Sequence, residues 1–122
     1  LRLASIAAKE GVDGITVANT HPIKEAKLAV GHGGLSGRPL FRETLKMVKE
    51  MRLEVGKDIA VHACGGIFTW EDVIEAIKAG ANTVQLLTGL IYEGPGVAKN
   101  ISLGLIKYMD EKGIKTVQDL VK

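Results

Sequence analysis

At 122 residues the chain can bury one sizeable core and is short for two ordinary domains, so one domain is expected over residues 1–122. Its 46% hydrophobic and 25% charged residues give a globular composition. A formal charge of +2, with Lys and Arg scattered over several helix faces, and only 4% aromatics exclude a basic stripe or a base-stacking platform, and nucleic acid with them.

Cys64 is the single cysteine, which excludes an intrachain disulfide and a cysteine-ligated cluster. It favours a reducing compartment, read as the cytoplasm. No apolar run reaches the roughly 18 residues of a membrane span, so no membrane contact is encoded. The sequence is read as carrying no secretory signal. The chain begins Leu1-Arg2-Leu3-Ala4, already inside a helical pattern, and reads as cut from something longer.

Leu3, Ile6 and Ala7 share a helical spacing that stops at Gly11. Gly14 to Ala18 is a short β-branched run and predicts a strand ending at Asn19-Thr20. His21 to Arg38 reads as a polar, glycine-rich loop. Leu45, Val48 and Met51 then predict a helix up to Gly56. A second strand, Ile59 to Ala63, ends in Cys64-Gly65-Gly66. Thr69 is a candidate N-cap with Asp72 three residues on, for a helix through Val73, Ile74 and Ile77 to Gly80. Thr83 to Leu87 predicts a third strand, ending in Thr88-Gly89. Gly94-Pro95-Gly96 opens a helix with Ala98, Ile101, Leu105 and Met109 on one face, stopped at Gly113. Thr116 to Asp119 predicts one last helical turn.

Strands alternating with helices imply parallel strands with right-handed crossovers, and all three strands read as buried on both faces. In such folds ligands sit at the carboxyl ends of the strands. After the second strand, Gly65-Gly66 lets backbone approach an anion, and the helix after Thr69 directs free N–H groups and its positive dipole end toward it. Thr88-Gly89 adds a hydroxyl and a flexible backbone at the neighbouring strand end, so both junctions fit one phosphate. The same glycines would also serve tight turns alone.

Asn19 can pair with the amide edge of a planar heterocycle, or act as a turn residue before Pro22. Gly33-Gly34-Leu35-Ser36-Gly37-Arg38-Pro39-Leu40 places three glycines in five residues, a demand for unusual backbone angles or close approach to a ligand. His21 and His32 flank the loop and read as bystanders. His62 reads as a hydrogen-bonded core or interlayer residue, and Trp70 as packing at the start of its helix. Cys64 matters through its backbone and not as a nucleophile. No His, Asp, Glu and Cys spacing fits a metal site.

The order Gly11-Val12-Asp13-Gly14-Ile15, Asn19-Thr20, Gly33 to Leu40, Cys64-Gly65-Gly66-Ile67, Ala79-Gly80-Ala81, Val84-Gln85-Leu86-Leu87-Thr88 and Ile91-Tyr92-Glu93-Gly94-Pro95 resembles dihydroorotate dehydrogenases over nearly the whole chain. The resemblance implies an α/β fold, the C-terminal portion of a (β/α)8 TIM barrel, with FMN at the strand ends. Positions matching Gly65, Gly66, Leu87 and Thr88 hold the FMN phosphate in the family, largely through backbone. Those matching Ala18 and Gly37 lie against the flavin, and those matching Asn19 and Thr20 meet the pyrimidine substrate. Leu87 departs from the smaller or aromatic residues often found there, a change that a backbone contact survives.

The reaction implied is oxidation of dihydroorotate to orotate in pyrimidine biosynthesis. A base removes a proton from one carbon while hydride passes from its neighbour to the flavin. That base, a Cys or Ser in the family, lies earlier in the barrel and aligns with nothing in this chain. No catalytic residue is therefore assigned, and the segment alone is expected to be inactive. It is expected to pair with the missing N-terminal part of the barrel or to self-associate. Alternatives are a related dihydropyrimidine dehydrogenase-like enzyme and a non-catalytic phosphate-binding half-barrel. The Gly37-Arg38-Pro39-Leu40 wording leans toward the quinone-linked branch.

Overall fold

The computed structural model describes residues 2–121; Leu1 and Lys122, the ends of the predicted domain, lie outside the described residues. Helix α1 (Arg2–Lys9) leads into strand β1 (Gly14–Val17). A hairpin follows, β2 (His21–Lys24) and β3 (His32–Leu35), and then a 3-10 turn at Arg38–Leu40. Next come α2 (Phe41–Val55), β4 (Ala60–Cys64), α3 (Trp70–Ala79), β5 (Thr83–Gln85), α4 (Thr88–Glu93) and α5 (Val97–Lys112), with a last 3-10 turn at Val117–Val121.

The main sheet has the order β1-β4-β5, all parallel. Its register places Ile15 beside Val61, and Val17, Ala63 and Val84 in one row. These residues form one sheet face, on which Val17, Val61 and Ala63 are buried with Val48, Val73, Ile74 and Ile77 from α2 and α3. Apolar alternation on that face is what pins the register, since a one-residue slip would expose the whole row.

The opposite face carries Thr16, His62 and Thr83 in one row and Cys64 beside Gln85 in the next. Thr16, Thr83 and Gln85 on it are exposed. The expectation that all three strands are buried on both faces is therefore corrected. A β-branched run marks a strand without saying how many of its faces are covered. His62 bonds across this face to the Thr83 hydroxyl, Nδ1 to Oγ1 at 2.6 Å, which fits the interlayer reading.

The predicted loop from His21 to Arg38 holds the antiparallel β2–β3 hairpin, with Pro22 opposite Gly34 and Ile23 opposite Gly33. Residues that read as breakers are tolerated because the hairpin is short and largely exposed. The third strand stops at Gln85, two residues before the predicted end, and α4 begins at Thr88. In α1 the predicted stripe is turned outward: Leu3 and Ile6 are exposed, and Ala4 is buried. In α5, Val97 and not Ala98 shares the inward face with Ile101. Helix α3 ends as its sequence requires, with Gly80 at φ +117°. Trp70 stacks on Tyr108 of α5 with ring centroids 5.5 Å apart.

Candidate functional site

Two strand–helix junctions and the loop after β3 converge at the carboxyl end of the sheet. They line a cavity of about 170 Å³ whose walls include Gly37, Gly65, Gly66, Leu87, Thr88 and the Asn19-Thr20 pair. Seven of the eight residues assigned to cofactor or substrate in the sequence thus share one cavity. Ala18, the eighth, lines the adjoining cavity with Asn19, Thr20 and His21.

The backbone around the cavity is unusually unpaired. The N–H groups of Gly65, Gly66, Leu87 and Thr88 find no acceptor among the described residues. Buried or half-buried N–H groups rarely stay unsatisfied, so the donors of Gly65 and Gly66 leave room for an acceptor brought by a ligand, which the exposed Leu87 N–H and the helix-opening Thr88 N–H could also meet. No Lys or Arg side chain lines the cavity. It therefore offers hydrogen-bond dipoles to an anion, with no counter-charge.

The glycines act differently from the sequence expectation. A Cβ on Gly66 would come within 2.6–2.7 Å of the Phe41 backbone, and one on Gly65 within 2.7 Å of the Thr44 hydroxyl. Both have positive φ, +131° at Gly65 and +75° at Gly66. Their missing side chains make room for the start of α2, and this packing leaves their N–H groups in the cavity wall.

The start of α3 is also a correction. The N–H groups just before the helix, those of Phe68 (2.8 Å) and Thr69 (2.9 Å), are taken by the Asp72 carboxylate, while no acceptor among the described residues meets those of Trp70 and Glu71 in its first turn. The Thr69 hydroxyl accepts in return from the Asp72 N–H, completing a capping box. Asp72 is buried, and Arg38 donates to both of its carboxylate oxygens at 2.7 Å. Burial opposes ionisation of Asp72; the Arg38 hydrogen bond, the two backbone bonds and the Arg38 charge outweigh it and hold its pKa below the ordinary carboxylate value.

Asn19 is placed by the ladder just beyond β1, where the Ala18 N–H donates to the Cys64 carbonyl at 2.9 Å. Its side-chain oxygen accepts from the Thr20 N–H at 2.8 Å, the local turn role, while its amide nitrogen meets no acceptor among the described residues. The Thr20 side chain rests against Gly34 of the hairpin. Across the cavity the Thr88 hydroxyl donates to Ser36 at 3.3 Å. Gly37 has φ +82°, and a Cβ there would come within 2.8 Å of the Thr88 methyl. Cys64 lines the cavity as a free, half-buried thiol, and no group of three or more His, Cys, Asp or Glu among the described residues could hold a metal. Sequence reasoning missed the Arg38–Asp72 pair. Its partners are 34 residues apart, and only the acidic residue three positions after Thr69 signalled one half of it.

A profile of the family described as dihydroorotate dehydrogenase matches residues 2–109. The chain belongs to the dihydroorotate dehydrogenase family. It is 36% identical to a dihydroorotate dehydrogenase (quinone) of Rhizobium johnstonii over 122 residues, covering 97% of this chain and 34% of the relative. It is 45% identical over 103 residues to the enzyme of that name from Coxiella burnetii, covering 81% of this chain and 30% of the relative. Two crystal structures of DHODH from Eimeria tenella are similar at 36% identity. The one in complex with ferulenol has a TM-score of 0.83 over 97% of this chain and 32% of that one. The ligand-free one has a TM-score of 0.84 over 98% and 34%.

The chain thus spans about a third of the length of these dihydroorotate dehydrogenases. Strands β1, β4 and β5 are a sector of their TIM barrel, and the cavity lies at the carboxyl ends of its strands, where such barrels carry their active sites.

Proposed function

We propose that this chain supplies the FMN phosphate site and part of the pyrimidine site of a flavin-dependent dehydrogenase that oxidises dihydroorotate to orotate. The observation that carries this reading is the set of four unpaired N–H groups, from Gly65, Gly66, Leu87 and Thr88, around one cavity. A phosphate accepts several hydrogen bonds at once and suits donors from two adjacent strand ends. FMN, when bound, accepts the hydride leaving the dihydropyrimidine ring. The exposure of Leu87 does not disturb such a role, because its contribution is a backbone N–H.

Gly37 offers a flavin ring a surface without a side chain, and Ala18 a small one on the substrate side. The Asn19 amide and the Thr20 hydroxyl would orient a pyrimidine by its polar edge. The cavity, about 170 Å³, is smaller than the roughly 300 Å³ at which small-molecule sites begin, so the chain forms one wall of the flavin site. Further strands would supply the other walls and the base that takes the substrate proton. They would come from the rest of the barrel, with self-association as the other way to cover the sheet. The names of the relatives favour a quinone as electron acceptor. A lone Cys64 outside any disulfide fits the cytoplasm.

The test is titration of the chain with FMN and with riboflavin, which lacks the phosphate, following flavin fluorescence and molecular mass. The expected result is FMN binding about tenfold or more tighter than riboflavin, the difference of a few charge-assisted hydrogen bonds. Equal affinities, or no FMN binding by a folded sample, would overturn the assignment of the phosphate to these N–H groups.

A further inference from the structure

The Arg38–Asp72 pair joins the parts on which the cavity depends. Arg38 follows directly on Gly37, which lines the cavity. Asp72 lies in the first turn of α3, the helix that follows the Gly65-Gly66 turn in the chain. One guanidinium nitrogen meets both carboxylate oxygens at 2.7 Å, and the guanidinium carbon lies 4.7 Å from the Phe68 ring centroid and 5.9 Å from that of Phe41. The guanidinium is thus held by a charge at its edge and by rings from two separate segments, a geometry suited to Arg and poorly reproduced by Lys. Gly37 in turn abuts Thr88 at the next strand end. A continuous path therefore runs from Asp72 through Arg38 and Gly37 to Thr88, across all three parts of the cavity wall.

We propose that Arg38 and Asp72 are positioning residues for the bound anion. Their ion pair sets how far the Gly37 turn stands from the two strand-end junctions, and so fixes the width of the cavity. Asp72 also occupies the N–H groups of Phe68 and Thr69, which removes these two donors from any anion near the Gly65-Gly66 turn. Arg38, already committed to Asp72, is not itself a ligand of the anion. This inference rests on the reading of the cavity as the FMN phosphate site.

The test compares the wild-type chain with Arg38→Ala, Arg38→Lys, Asp72→Ala and the Arg38→Ala/Asp72→Ala double variant, each titrated with FMN well below its unfolding temperature. Hydrogen exchange is measured alongside at the Leu40 amide, which donates to the Gly37 carbonyl at 3.0 Å and reports the turn. Each single alanine variant is expected to weaken FMN about tenfold, and the double variant no more than either alone, because the two residues act as one unit. Arg38→Lys recovers only part of the affinity. Leu40 exchange rises about tenfold in both alanine variants while Val61 and Ala63 in β4 keep their protection.

FMN affinity unchanged in the folded alanine variants would overturn the proposal and leave the pair a purely structural role. Tighter FMN binding by Asp72→Ala would also overturn it, by revealing Arg38 as an anion ligand that Asp72 restrains. If Asp72→Ala fails to fold, Asp72→Asn takes its place, since it keeps an acceptor for the capping N–H groups and loses the charge. If the wild-type chain binds no FMN, the phosphate reading fails separately. Leu40 exchange then decides whether the pair holds the Gly37 turn: unchanged exchange in Arg38→Ala sinks the positioning claim on its own, whatever becomes of the phosphate reading.

Discussion

Asp72 does three jobs from one buried carboxylate: it completes the capping box of α3, anchors Arg38, and takes up the N–H groups of Phe68 and Thr69. Its depressed pKa makes these jobs dependent on pH with a definite sign. A carboxylate whose folded pKa lies below its unfolded value stabilises fully above the unfolded pKa, and the contribution is lost as pH falls through the folded one. In urea unfolding at a series of pH values, the stability gap between wild type and Asp72→Asn should be flat from about pH 8 to about pH 5 and close below about pH 4. A gap that does not change with pH would mean that Asp72 acts through shape and not charge. Half of this residue's chemistry was legible. Thr69 and Asp72 stand three apart, which is the local signature of a capping box. The other half comes from Arg38, 34 positions away, and no local pattern reports such a partner. Gly65 and Gly66 show the converse. Their position was legible and their reason was not, because the group that excludes a Cβ is the incoming α2.

Among the elements, the three parallel strands and the helices α2, α3 and α5 were legible because each repeats its apolar residues at a fixed period and ends at a glycine or a cap. The β2–β3 hairpin and α4 were not. Pro22, Gly33 and Gly34 carry no apolar alternation, and α4 has only six residues between Leu87 and Gly94. Thr88 and Gly89 of α4 line the cavity, and His21 and Pro22 of the hairpin line the adjoining one, where local preference yields to the shape of the site. The opposite end of the sheet is held by one side chain that the sequence did not single out. Arg52 donates to the carbonyls of Gly80 and Ile59, each at 2.9 Å, and to that of Gly56, and it also bonds the Asn82 side chain. Asn82 in turn accepts from the Val61 N–H at 2.8 Å. Arg52 thereby satisfies the ends of α2 and α3 and the strand starts at once. Arg52→Ala should cost about 2–3 kcal/mol in denaturant unfolding, since it strands several carbonyls together. Arg52→Lys should recover less than half of that; a loss under about 0.5 kcal/mol for the alanine variant would place it among ordinary surface residues.

At the scale of the whole molecule, β1 and β5 each pair only with β4 among the described residues, which leaves the sheet two unpaired edges and one exposed polar face there. Edges of this kind recruit further strands. Sedimentation velocity of the isolated chain should show association growing with concentration between about 1 and 100 µM, as mass action requires. A monomer throughout that range would show that the edges are blunted without a partner. The motifs at the strand ends were readable because they are short and contiguous, whereas the open face was not, since a strand's residues do not say which layers stand above it.

The balance between Arg38 and Asp72 has a consequence for how a ligand arrives. The formal charge of +2 does not reside in the cavity wall, and the cation at its border is neutralised. A dianionic ligand then meets no field that steers it from a distance, and its encounter with the mouth is left to unaided diffusion. Dipoles act only at contact, where dissolved ions have little to screen. For the part of the site that this chain builds, holding such a ligand is therefore a matter of fit, with no fixed charge of the wall to add to it.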